Sequence, residues 1–479
     1  MIWMIIFAIF AGAILAEIIL KLWRATWWSR QVKIMQYTLA TFKNNTDEDS
    51  RQSLLLQSGW RTLVLSLSFG ALLVGMCLLA SVPIFAMAWS ASDAWIYLCV
   101  LGVWMTFWLI GRKHKNQVNR NGYSLIERIL HRIALEPKVT RQLAFDLERK
   151  FFLHRNFAAN RLASDSVFVC GLARSGTTIL LRVLDESSAF QSLKYRDMPF
   201  VMSPNLWGLI TKIAKKSVSL TERAHGDGLL VNADSPEGFE EVFWRTMGMT
   251  RVTSNTLEAI TPSSAALASF KEYQELVANP RQVGNVTSSL RLRYLSKNNN
   301  NLMRLKAISS DPTAKVLIVY REPISTASSL YKQHLRFCKI QNKDSFVRKY
   351  MNWLSHHEFG LDHRPFAFAL AGMDSSLTLD DPNYWLDYWS AVHGYLLTQQ
   401  ESNVFLINHN EFCSRPMEMF KALSSVLQIH IEKDALTTKL EDRGDRHDSS
   451  IEFSDDLVRR STVLYQTLLK SSRNIQGSS

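Results

Sequence analysis

Apolar residues change their run length and their period along the chain, and the changes divide it. Thr62 to Ser92 contains no charged residue, nor does Ala94 to Gly111, and each run is long enough for a membrane helix of about 20 residues. A third apolar run, Ile2 to Leu22, is interrupted only by Glu17 and Lys21. Their i,i+4 spacing lets them pair on one helix face or reach the interface. Spans are therefore expected over 2–22, 62–84 and 94–111, with Trp60, Trp89 and Trp95 as interfacial flanks. The first run has no basic n-region and no clear small-x-small cleavage site, so it reads as a retained anchor rather than a signal peptide. Beyond Gly111 the pattern becomes amphipathic: 120–160 carries helical periodicity with basic faces. From 165 onward short apolar runs of strand length, Val167 to Cys170 and Val316 to Tyr320, alternate with helix-like stretches. The expected division is a membrane unit (1–115), a helical linker (116–160), an α/β domain (161–470) and a disordered tail (471–479).

Charge gives this division an orientation. The 23–61 connection carries Arg24, Arg30, Lys33, Lys43, Arg51 and Arg61, the 83–93 connection carries no Lys or Arg, and Arg112, Lys113, Lys115 and Arg120 follow the third run. The positive-inside rule then puts both basic stretches and the α/β domain in the cytoplasm and the N-terminus outside. The 479 residues carry a formal net charge of +12. Much of that excess lies beside the spans, where it suits anionic lipid headgroups rather than nucleic acid. No aromatic–basic alternation of an RNA-binding sheet and no zinc-finger spacing is present. Five scattered cysteines have no framework spacing; packing in a reducing compartment is the simpler reading.

The candidate chemistry begins at 166–184, SVFVCGLARSGTTILLRVL. An apolar run delivers a loop holding Gly171, Arg174, Ser175 and Gly176 to a helix start at Thr177 and Thr178. Unpaired first-turn N–H groups and the positive dipole end meet there, which makes an anion cradle. A Walker A loop would place Lys directly after its last Gly. Here Thr177 follows Gly176, and the cation, Arg174, precedes it. A second strand, in 315–334 (KVLIVYREPISTASSLYKQH), ends in Arg321-Glu322-Pro323 instead of the Asp that holds Mg²⁺ in nucleotide hydrolases. Ser329 lies eight positions beyond Arg321, within one or two helical turns of a guanidinium fork suited to a phosphate dianion.

These two segments resemble the donor-binding motifs of sulfotransferases, and 404–416, VFLINHNEFCSRP, is similar to the strand–polar loop–Glu–Pro stretch near the C-terminus of that family. The resemblance spans about 165–450. It implies a P-loop-like α/β fold, a three-layer parallel sheet with helices on both faces, preceded here by the all-helical membrane unit. It also implies 3′-phosphoadenosine 5′-phosphosulfate as co-substrate, with no metal required. Gly171, Arg174, Ser175, Gly176, Thr177 and Thr178 would hold the 5′-phosphosulfate, and Arg321 and Ser329 the 3′-phosphate. Arg174 would neutralise charge on the bridging oxygen as the sulfuryl group departs. A His or Glu following the first loop would take the acceptor proton; His225 and Glu237 are the candidates, with Asp234 a weaker third.

Other stretches invite plainer readings. Glu240 and Glu241 read as helix-start acids, Asn298 to Asn301 as an exposed turn with acceptor or donor recognition as the alternative, and the aromatics of 384–395 as packing against the sheet. Arg443 and Arg446 stand in a charged loop, and in relatives a basic loop at this place closes over the donor. The function expected is sulfuryl transfer to a hydroxyl of a membrane-associated or carbohydrate acceptor by a multi-pass protein of the bacterial inner membrane, with membrane lipids as partners. A membrane-bound P-loop kinase or NTPase and a non-catalytic nucleotide-binding scaffold are the alternatives.

Overall fold

The computed structural model describes residues 123, 125–153, 165–212, 221–222, 230–231, 233–278, 292–399, 401–429 and 450–472. The three expected spans lie outside the described residues, as do His225, Arg443 and Arg446. Among the described residues no helix is long and apolar enough to cross a membrane. The chain divides into two compact units, Met1–Gln117 and Val118–Ser479, and all that follows concerns the second.

Among the described residues five strands form its central sheet: β1 (Val167–Cys170), β2 (Phe190–Gln191), β3 (Arg293–Lys297), β4 (Lys315–Tyr320) and β5 (Val404–Asn408). Their spatial order is β2-β3-β1-β4-β5, and every pairing is parallel. Val167 lies opposite Leu295 on one side and Lys315 on the other. The chain thus leaves β1 toward β2 and β3, then crosses back to β4 and β5. Such a reversal opens a crevice at the carboxyl end of β1, where α/β sheets bind ligands.

The helices that cover the sheet are α1 (Thr177–Glu186), α2 (Ser264–Ala278), α3 (Pro323–Lys343), α4 (Pro382–Leu397), α5 (Pro416–Leu427) and α6 (Asp455–Ser472). The last of these ends two residues inside the segment expected as a tail. The continuous apolar runs of β1 and β4 follow from burial on both faces. Val167, Val169, Leu317, Val319 and Ile407 share one face with Leu180, Leu181 and Leu184 of α1 and Met419, Phe420 and Leu423 of α5. On the other face Phe168 stacks on Phe270 of α2 at 6.0 Å between ring centroids, and Tyr320 meets His393 of α4 and Tyr465 of α6. Trp385 and Trp389 of α4 are wholly buried, so these two aromatics of 384–395 pack against the rest of the fold. A large side chain buried in this way contributes about 1.5–3 kcal/mol.

Two plain readings need correction. Asn298 to Asn301 is a buried 3-10 turn, not an exposed one. Its asparagines satisfy Glu240, which is fully buried and accepts from Asn301 Nδ2 at 2.9 Å, Trp244 Nε1 at 2.9 Å, Tyr294 Oη at 3.1 Å, Asn298 Nδ2 at 3.3 Å and Ser296 Oγ. Glu241 receives a bidentate pair from the buried Arg304 at 2.7 and 2.9 Å. A carboxylate removed from water needs that many donors, so neither glutamate merely caps a helix. Likewise Arg141, in the basic stretch before the sheet, is buried and donates to Thr246 Oγ1 at 3.0 Å and to the carbonyls of Leu135 and Glu136.

Candidate active site

The loop after β1 is shaped by backbone that few side chains tolerate. Gly176 has φ of 99° and caps α1, and a Cβ there would collide with the ring of His409. Gly171 lies so close to the Val319 carbonyl of β4 that a Cβ would overlap it. Between them Arg174 itself adopts φ of 72°, an unusual conformation for a residue with a side chain. A tight turn, Ser175 N–H to Leu172 C=O at 3.2 Å, sets the loop's curvature. The outcome is the arrangement expected from the sequence, with the first-turn N–H groups of α1 facing the carboxyl end of β1.

The two sequence motifs meet in space. Arg174 Nε donates to Ser329 Oγ at 2.9 Å across 155 positions of chain. Ser329 keeps its own proton to donate elsewhere. Thr177 Oγ1 donates to Asn299 Oδ1 at 3.3 Å, tying the loop to the buried asparagine turn. Thr178 is buried. Ser175 is completely buried, and its hydroxyl has no hydrogen-bond partner among the described residues. Arg321 follows the last residue of β4 and is half-buried. Glu322 then caps α3, accepting from Ile324 N–H at 3.0 Å and Ser325 N–H at 2.6 Å, with Pro323 at the first helical position. On that helix the buried hydroxyls of Ser325 and Ser328 also have no partner among the described residues. Buried hydroxyls without partners are costly unless a ligand completes them. Three of them beside two arginines fit a polyanion rich in oxygen.

The proton-acceptor candidates fare differently. Glu237 is buried with both carboxylate oxygens engaged: Tyr195 Oη donates at 3.0 Å, Gly238 N–H at 2.9 Å, and Lys297 Nζ stands 3.4 Å away. Asp234 is exposed and pairs with Arg196.

Several groups beside the loop carried no separate signal in the sequence. His409, at the end of β5, packs against Gly176; it stands inside the 404–416 stretch, but only the loop's shape reveals its neighbour. Asn408 Oδ1 accepts from Glu411 N–H at 2.9 Å and its Nδ2 donates to Tyr465 Oη at 3.0 Å, fixing the turn that carries His409. His357 and Glu358 line a small cavity together with Leu172, Ala173, Leu330 and Arg364. The sequence SHHEFG around them matches no chemical motif read from the chain.

With this geometry in view, residues 166–374 match the sulfotransferase family. The matched segment is under half of the 479 residues. No curated protein matches the chain. The solved structures similar to it include a sulfotransferase of Mycobacterium tuberculosis, 13% identical with a TM-score of 0.38, covering 66% of this chain and 81% of that one. Another is a sulfotransferase of Alicyclobacillus acidocaldarius, 17% identical with a TM-score of 0.30, covering 65% and 96%. The matched segment contains both loops described above, from the turn after β1 to Arg321 and Ser329, and extends through His357 and Arg364.

Proposed function

We propose that the chain transfers a sulfuryl group from 3′-phosphoadenosine 5′-phosphosulfate to a hydroxyl of a membrane-associated or carbohydrate acceptor. The hydrogen bond from Arg174 to Ser329 carries this reading, because it brings the cation of the first loop to the helix that follows Arg321. One ligand with phosphate at both ends would then span the two motifs. Backbone N–H groups of 172–178, with Ser175, Thr177 and Thr178, would hold the 5′-phosphosulfate. Arg321 and Ser329 would hold the 3′-phosphate, a dianion suited to a guanidinium fork and a hydroxyl donor. The hydroxyls of Ser175, Ser325 and Ser328, which have no hydrogen-bond partner among the described residues, support an oxygen-rich occupant.

Chemistry follows from charge. As the sulfuryl group leaves, negative charge grows on the oxygen bridging sulfur and phosphorus. In this reading Arg174 and the dipole end of α1 would face that charge, and fixed donors stabilise it without reorganisation. The loop has no Walker lysine, which disfavours the kinase reading.

The location of the reaction is part of the proposal. The charge-free runs 62–92 and 94–111 and the basic connections around them support three spans with the domain on the cytoplasmic side. An acceptor drawn from lipid or lipid-linked sugar fits that placement.

A direct test is sulfur-35 transfer from the labelled donor, in EDTA, to lipid and glycan extracts of cells lacking the gene. The reading expects labelled product with the purified full-length protein and none with Arg174→Ala. Transfer that requires added Mg²⁺ and ATP, or no labelled product from any extract, contradicts it.

A further inference from the structure

The reaction needs a proton acceptor, and Glu237 is tied up by Tyr195, Gly238 and Lys297. A second group meets the requirements better. His357 is only 5% exposed and lines the cavity that Leu172 and Ala173, the residues just before Arg174, also line. The other walls are Leu257, Leu330, Phe366 and Tyr388 together with the polar Asn300, Glu358 and Arg364, and the cavity has room for about one water-sized group, such as a hydroxyl.

The ring is held in one tautomer. His357 Nδ1 stands 2.9 Å from the Asp362 carbonyl, which only accepts, so Nδ1 carries the proton. Among the described residues no hydrogen bond reaches Nε2, which therefore presents a lone pair. The surrounding turn is fixed: Arg364 N–H donates to the His357 carbonyl at 2.9 Å, and His363 Nδ1 reaches the carbonyls of His357 and Glu358. Glu358 in turn accepts from Asn299 Nδ2 at 3.5 Å, and Asn299 accepts from Thr177 of the donor loop. A two-bond relay thus links this turn to the helix start where the sulfuryl group would lie.

We propose that His357 Nε2 takes the proton from the incoming hydroxyl group, an assignment that rests on the sulfotransferase reading above. The acceptor oxygen forms a bond to sulfur while the bond from sulfur to the bridging oxygen breaks. The hydroxyl proton passes to His357 Nε2 and the electron pair of the broken bond leaves with 3′-phosphoadenosine 5′-phosphate. The imidazolium then returns its proton to solvent. Burial lowers the pKa of His357 from its ordinary value, opposed by the Asp362 carbonyl and by the charges of Glu358 and Asp362, while Arg364 lowers it further. His356 and His363 belong to the same turn, and His363 is buried with its pKa pushed down to about 3, hence neutral. The resting histidine is accordingly a free base at neutral pH, ready to accept a proton.

The test uses the full-length protein, the sulfur-35 donor, and 2-naphthol and water as acceptor probes. His357→Ala should lower turnover at pH 7 by about 10²-fold or more, leave affinity for 3′-phosphoadenosine 5′-phosphate within about twofold, and regain turnover on adding imidazole. The wild-type rate should rise with pH through the acid range and level off before pH 7, and this limb should vanish in the variant. Unchanged turnover in His357→Ala, or a lost rate that imidazole does not restore while nucleotide binding persists, overturns the assignment. Failure of the wild type to turn over the donor at all contradicts the sulfotransferase reading instead. The histidine is then judged by its ¹⁵N NMR signals: a neutral ring protonated at Nδ1 at pH 7 is expected, and a ring protonated at Nε2 overturns the proposal.

Discussion

Arg174 combines a left-handed backbone with a hydrogen bond to a helix 155 positions away. Such a conformation costs about 1–3 kcal/mol and persists only where its surroundings enforce it. Removing the side chain should therefore harm the reaction more than the fold. Arg174→Ala is expected to lower turnover by about 10²–10³-fold while nucleotide binding is partly retained. Arg321→Ala should instead weaken nucleotide affinity first, by tenfold or more on the order of a lost charged hydrogen bond. Calorimetry with 3′-phosphoadenosine 5′-phosphate, set beside initial rates, separates the two; identical effects in both variants would refute the division of labour. Gly176 gives a steric counterpart. Gly176→Ala adds a Cβ that meets the His409 ring at a φ of 99°. Nucleotide binding should be lost in that variant, and Gly176→Ala combined with His409→Ala should recover only part of it, because the backbone strain remains.

Among the elements, β1 and β4 were legible because strands buried on both faces leave continuous apolar runs. The loop between β1 and α1 was legible because Gly, Ser and Thr are demanded there by the turn and the helix start. Asn298 to Asn301 was not, because four amides in a row look solvated until the buried Glu240 that they satisfy is brought against them from 58 positions away. The turn holding His357 was hidden for the same reason: its neighbours Leu172, Leu257 and Tyr388 come from separate parts of the chain. The Glu240 network gives a stability prediction. Glu240→Ala strands Trp244, Tyr294 and Ser296 without their acceptor and should lower unfolding free energy by about 3–5 kcal/mol, measured by urea denaturation; a change near zero would mean that the network contributes nothing. Acid probes the turn itself. Arg348 and Asn352 hold the Asp362 carboxyl down to about 2. A depressed carboxyl contributes stability that is present above its unfolded value, near 4, and lost as pH falls through about 2. Hydrogen exchange of residues 356–364 should accelerate over that window, and Asp362→Asn should remove the dependence.

On the scale of the molecule, the sheet and the apolar N-terminal runs have different physical grounds. The sheet order β2-β3-β1-β4-β5 sets β1 beside β4, so the segments that follow them, the 171–176 loop and the Arg321 turn, leave the same end of the sheet, as the fold inferred from the sequence requires. The α/β domain therefore stands on topology and on the family match over 166–374. The membrane unit stands on hydropathy and charge alone, since residues 2–22, 62–84 and 94–111 lie outside the described residues. Reporter fusions after residues 45 and 118 should both report the cytoplasm, and a fusion near 88 the opposite side; any other pattern contradicts the three-span topology. In the proposed function one site grips a nucleotide by phosphates at both ends. Titrating the full-length protein in EDTA with 3′-phosphoadenosine 5′-phosphate and separately with ATP tests it most directly. The bisphosphate should bind at least about tenfold more tightly, a margin of one charge-assisted contact, and Arg321→Ala should abolish that preference. ATP binding as tightly as the bisphosphate, or a preference that survives Arg321→Ala, would contradict it.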